Sequence, residues 1–101
     1  MPCLARAEKA FQLAKKLDDP GVLAGSYNNL AVLSGKSGDQ EKALEYYEKG
    51  LKIALENNSI NWIVTLHNNL AEGLWISGRF REAFETSRRG MEFSRKVGGS
   101  R

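Results

Sequence analysis

Shifting the 101-residue chain against itself by forty positions brings like residues into register, and nothing else restricts the fold as strongly. Asn28-Asn29-Leu30-Ala31 returns as Asn68-Asn69-Leu70-Ala71, and Ser37-Gly38 as Ser77-Gly78. Ala43 returns as Ala83, Glu45 as Glu85 and Gly50 as Gly90. The reverse shift sets Phe11 under Leu51, Leu13 under Ile53 and Ala14 under Ala54. A unit near forty residues with two helical patterns means a helical solenoid, where each copy buries its apolar side against the next. The first helix then falls where the second half of an earlier copy would be, without its own partner helix.

The periodicities predict helices over 3–18, 20–35, 39–57, 60–77 and 79–97. Leu4, Ala7, Phe11, Ala14 and Leu17 recur at spacings of three and four, as an amphipathic helix requires. The second stripe is Leu23, Tyr27, Leu30, Ala31 and Ser34. Asp19, Asp39 and Ser59 stand where side-chain oxygens cap helix starts, and Pro20 suits a first helical position. Helix 39–57 carries the small residues Ala43 and Gly50 one per two turns, set among Leu44, Tyr47, Leu51 and Ile53. Such a surface admits a neighbour closely at the small positions and wedges it at the large ones.

Among solenoids of this period, the residues resemble a tetratricopeptide repeat more than a HEAT or armadillo unit. Leu30-Ala31 takes the place of that motif's Leu-Gly pair, and Gly38 that of its turn glycine. Ala43, Tyr47 and Gly50 supply its small, aromatic, small series. Leu70, Ala71, Gly78, Ala83 and Gly90 match in the second copy, while Ser87 departs from the aromatic. The usual repeat has about 34 residues, so the surplus belongs at the end of each second helix and in the following loop. Forty-residue repeats with an Asn-Asn-Leu-Ala core are similar to those of kinesin light chains, Pins-type polarity adaptors and large bacterial transcription regulators.

The resemblance implies an all-α, right-handed α-solenoid of antiparallel helix pairs, about five helices in two and a half tetratricopeptide units. The expected organisation is one domain over 1–101: a partial repeat's second helix at 3–18, then repeats at 20–58 and 60–98. In that family the first helix of each repeat lines a concave groove that holds peptide segments. First-helix positions off the apolar stripe are therefore candidate peptide-binding residues. They are Gly25, Asn28, Asn29, Val32 and Lys36 in one copy, and Thr65, Asn68, Asn69, Glu72, Trp75 and Ile76 in the other.

A carboxamide both donates and accepts, so one asparagine can hold the N–H and C=O of an extended peptide. Packed helices stand about 8–10 Å apart and a strand advances about 3.3 Å per residue. One asparagine per repeat would thus meet every third peptide residue. The family's use of asparagine on peptide backbone carries first to Asn29 and Asn69, with Asn28 and Asn68 in support. Trp75 and Ile76 read either as an apolar anchor in the groove or as packing for a following helix. Val32 and Glu72 occupy places where the family's carboxylate-clamp type wants polar or basic groups, which argues against that type.

Composition narrows the chemistry. Residues 1–78 hold eight bases and nine acids, and 79–101 seven bases and three acids. The C-terminal excess lacks the interleaved aromatics of a nucleic-acid face, so it reads as a solvated helix side. Cys3, the single cysteine, excludes an internal disulfide and fits a small packing position, in keeping with a reducing cytoplasm. His67 lies on a core stripe with no second histidine or cysteine nearby, so it reads as a buried hydrogen-bonded residue. Glu41, Glu45 and Glu48 beside Lys42, Lys49 and Lys52 read as solvated ion pairs. The expectations are a non-enzymatic scaffold with no cofactor and no metal, a protein or peptide partner, and neither membrane nor nucleic acid. Two bare ends, Leu4/Phe11 on the first helix and Phe84, Met91 and Phe93 on the last, suggest a piece of a longer protein. They also suggest homo-oligomers, formed through uncapped ends or by helix swapping.

Overall fold

Short polar joints decide where each helix stops. The computed structural model describes residues 2–99, with side chains from 5 to 97. The helices are α1 (Pro2–Leu17), α2 (Pro20–Lys36), α3 (Gln40–Glu56), α4 (Ile60–Ile76) and α5 (Phe80–Gly99). Asp19 accepts from the Gly21 and Val22 amides at 3.0 and 3.2 Å, and Asp39 from the Lys42 amide at 3.0 Å, each satisfying orphan donors of a first turn. Ser59 holds the N-cap position of α4 but its hydroxyl makes no capping bond, contrary to the expectation from its residue type.

Three joints share one closure. The amides of Asp39, Ser59 and Arg79 each return 2.9 Å to the carbonyl five residues back, on Ser34, Ala54 and Leu74. The residue before each amide is left-handed: Gly38 at φ 95°, Asn58 at 53° and Gly78 at 81°. Glycine adopts that region without strain and asparagine tolerates it. The fold is an all-α stack of hairpins, and each helix touches its sequence neighbours. Among the described residues, the one further helix pairing joins α2 to α4.

The core runs along the seams of α2, α3 and α4, and α5 adds Ala83. Ala24, Ala31, Ala43 and Ala54 let the backbones approach, while Ile63 and Leu66 fill the space between them; Leu30 is fully buried on α2 outside this cluster. Ala24 and Ser26 join the buried side of α2 alongside Leu30, Ala31 and Ser34, whereas Leu23 and Tyr27 are only half-buried. His67 is buried, and its Nδ1 lies 2.8 Å from the Ile63 carbonyl, so Nδ1 carries the hydrogen and donates it. Gly90 leaves room for that ring, since a Cβ there would stand 2.8 Å from His67 Cβ.

The ends differ from the sequence expectation at two residues, Phe93, which packs against the core, and Phe11. Phe11 is not bare: its ring packs 4.7 Å from that of Tyr27. Among the described residues of α1, the exposed large apolar ones are Leu13 and Leu17. Leu13's counterparts Ile53 and Phe93 are packed against the core, each beside the first helix of its own hairpin. The side chains of Cys3 and Leu4 lie outside the described ones. On α3 no ion pair forms among the described residues; Arg79, just before α5, pairs with Glu82, and Arg88 pairs with Glu92 within α5. The Arg79 guanidinium, by its hydrogen bonds to Glu82, holds that carboxyl below the usual range.

Candidate functional site

Placing α4 beside α2 opens a furrow of about 320 Å³ between the two first helices. Val32 and Lys36 line it from α2, and Asn69, Glu72 and Ile76 from α4. Gly35, Gly73 and the Tyr47 ring form part of its floor. Close approach explains the glycine at 73: a Cβ there would come within 3.0 Å of Leu44 Cδ2. Burial, and then the negative charge of Glu72, hold the Tyr47 phenol above its ordinary value.

The amides divide in an order the forty-residue register does not show. Asn69 Nδ2 donates to Asn28 Oδ1 at 2.7 Å, joining positions forty-one apart across consecutive copies. Both side chains are half-buried. Their equivalents Asn29 and Asn68 are exposed and make no such bond. Of the eleven candidate peptide-binding residues, the furrow collects Val32, Lys36, Asn69, Glu72 and Ile76, with Asn28 bonded to its edge. Thr65 and Asn68 are exposed on α4. Trp75 turns away from Ile76 to meet Phe80 edge-on at 4.6 Å, in a hollow of about 320 Å³ shared with Glu72, Ala83, Phe84 and Ser87. Gly25 is covered by the Trp62 ring, whose Cζ2 lies 2.9 Å from where a Cβ would be.

A larger trough, about 620 Å³, opens on another side, between α3 and α5. Leu70 and Leu74 lie in it, Leu51 and Leu55 come from α3, and Glu48, Glu56, Glu82 and Glu85 supply carboxylates with Lys52 and Arg89. No residue pattern pointed to it. Among the described residues no helix is long and apolar enough to cross a membrane, and no group of three or more His, Cys, Asp or Glu could hold a metal ion.

Helical hairpins stacked neighbour to neighbour, with a furrow between first helices, define an α-solenoid repeat protein. Residues 24–57, about a third of the chain, match the family profile of the tetratricopeptide repeat. That match marks 24–57 as a tetratricopeptide repeat, a unit that generally mediates protein–protein interaction. No curated protein matches it significantly.

Proposed function

We propose that the α2–α4 furrow of this non-enzymatic scaffold holds an extended segment of a partner protein in the cytoplasm. The observation that carries the reading is the 2.7 Å bond between Asn69 and Asn28. Each carboxamide spends one function on the other, which leaves Asn28 Nδ2 to donate and Asn69 Oδ1 to accept. A peptide unit needs that pair of complements. Lys36 and Glu72 add opposite charges, and Val32 and Ile76 apolar surface.

Each bond adds about 1 kcal/mol net, so the couple contributes roughly 2 kcal/mol, a factor of about thirty. Peptides selected from a random display library on the wild-type chain test this reading. Asn69→Ala should weaken their binding roughly tenfold or more with helicity unchanged, and Asn28→Ala added to it should cost little further, because the two amides act together. Unchanged titration curves for Asn69→Ala would remove the reading.

A second reading is assembly through the repeat ends, favoured by the exposure of Trp75, Ile76, Phe80 and Phe84 at one end and Leu13 and Leu17 at the other. Contiguous apolar surface of this kind marks contact sites.

A further inference from the structure

We propose that the trough between α3 and α5 is a second binding site, which takes a segment of a partner protein carrying aromatic side chains next to basic ones. It is separate from the α2–α4 furrow and lies between two complete hairpins, α2–α3 and α4–α5.

The chain holds its own comparison. The valley between α1 and α3 occupies the equivalent place forty residues earlier, and three rings bridge it. Phe11 of α1 packs 4.7 Å from Tyr27 of α2, and Tyr27 stands 6.1 Å from Tyr46 of α3. The Lys15 ammonium lies over Phe11, 5.5 Å from the ring centre. Adding forty to these four positions gives Leu51, His67, Thr86 and Leu55. Leu51, Thr86 and Leu55 line the trough, and His67 lines a hollow of about 370 Å³ that shares Leu51, Leu55 and Arg89 with it. Only the folded chain shows that these positions meet.

The two outer rings are thus lost to leucine and threonine, and the middle one becomes the buried His67 imidazole. The lysine over the first ring becomes Leu55, which is 48% exposed. Where the first valley is filled by side chains, the second presents Leu51 and Leu55 beside the buried Leu70 and Leu74. A segment that brings two rings restores the packing of the first copy, and aromatic side chains gain most where they are desolvated.

Charge selects what flanks the rings. Glu48, Glu56, Glu82 and Glu85 with Lys52 and Arg89 give the trough a formal 2 − 4 = −2. The same positions forty earlier are Glu8, Lys16, Lys42 and Glu45 with Gln12 and Lys49, a formal 3 − 2 = +1. Arg79 already satisfies Glu82, while Glu48, Glu56 and Glu85 make no ion pair among the described residues. The complement of these walls is a base on each side of the rings. Protein is the occupant named because the matched repeat generally mediates protein–protein interaction.

The probe is a fluorescein-labelled peptide, Gly-Arg-Trp-Arg-Trp-Arg-Gly, titrated into the intact chain by anisotropy at low salt. Saturable binding is expected. Leu51→Phe with Thr86→Tyr, which returns the first copy's rings, should weaken it roughly thirtyfold or more, the scale of a lost aromatic hot spot. Glu48→Gln with Glu85→Gln should cost about fivefold, as two exposed ion pairs. If the ring variant changes the circular dichroism, Leu55→Lys at its half-exposed position is the second variant. It should cost roughly tenfold, through lost apolar contact and added like charge. Asn69→Ala should leave the titration unchanged, so the furrow reading is tested separately; a loss there would place the peptide in the furrow and overturn the proposal. No saturable binding, or binding indifferent to the ring variant and to Leu55→Lys, overturns it as well. Equal binding of a peptide with both tryptophans replaced by alanine would be a charge effect only, with the same consequence. A dimer of the chain that Leu55→Lys dissociates and the peptide does not displace assigns the trough to a second copy, and overturns the partner segment.

Discussion

Gly90→Leu should cost the chain most of its stability. Gly90 is buried in α5, and the first carbon added there would stand 2.8 Å from His67 Cβ and 3.3 Å from His67 Cγ. A Cβ neighbour is anchored to its backbone, so relief requires α4 and α5 to separate. Extra methylenes in a packed core cost about 1–3 kcal/mol and occasionally more, and leucine adds four carbons at once. The whole chain has about 5–15 kcal/mol to lose. Gly90→Ala should still destabilise, because overpacking of about 1–3 kcal/mol exceeds the roughly 1 kcal/mol gained in helix propensity. Gly25→Ala is the contrasting case: its clash is with the outer edge of the Trp62 ring, which can swing aside, so the helix gain cancels the cost. Urea titrations followed by circular dichroism should order the midpoints as Gly25→Ala, Gly90→Ala and Gly90→Leu, highest first. A Gly90→Leu midpoint equal to the parent's would show that α5 does not pack on His67.

Leu66→Ala should lower stability by about 2–5 kcal/mol, the range for a fully buried leucine that leaves a cavity. Its side chain is wholly inaccessible and reaches from α4 toward Gly50 on α3, so the loss opens the seam between the hairpins. Leu55→Ala on α3 removes the same atoms from a half-exposed position and should stay within about 0.5 kcal/mol of the parent. The comparison uses denaturant midpoints at constant slope. Equal losses at the two leucines would mean that the core does not run where the structure puts it.

The helices and two of the three caps were legible because they depend on local chemistry. Asp19 and Asp39 cap as their side chains and positions suggest. Ser59 has the same opportunity and its hydroxyl does not take it. The amide arrangement was not legible, for a specific reason. Self-comparison aligns equivalent positions, forty apart, whereas the bond between Asn28 and Asn69 joins non-equivalent ones. Contact between stacked copies is made by opposite sides of the two helices, so it links unlike positions. The separation of Trp75 from Ile76 did have a signal. Adjacent residues on a helix point about 100° apart, so the two could not share one wall. The trough between α3 and α5 had none, since it lies between second helices of successive copies and no periodic pattern marks such a gap.

The pattern of neighbours has a consequence for how the chain acquires its shape. Among the described residues, α2 and α4 are the one non-consecutive pair of helices in backbone proximity, so most contacts between helices join neighbours in the chain. Proteins with such local wiring search few alternatives and fold quickly, in microseconds to milliseconds at comparable size. Assembly can start at any hairpin and spread both ways, and no late, distant pairing holds it up.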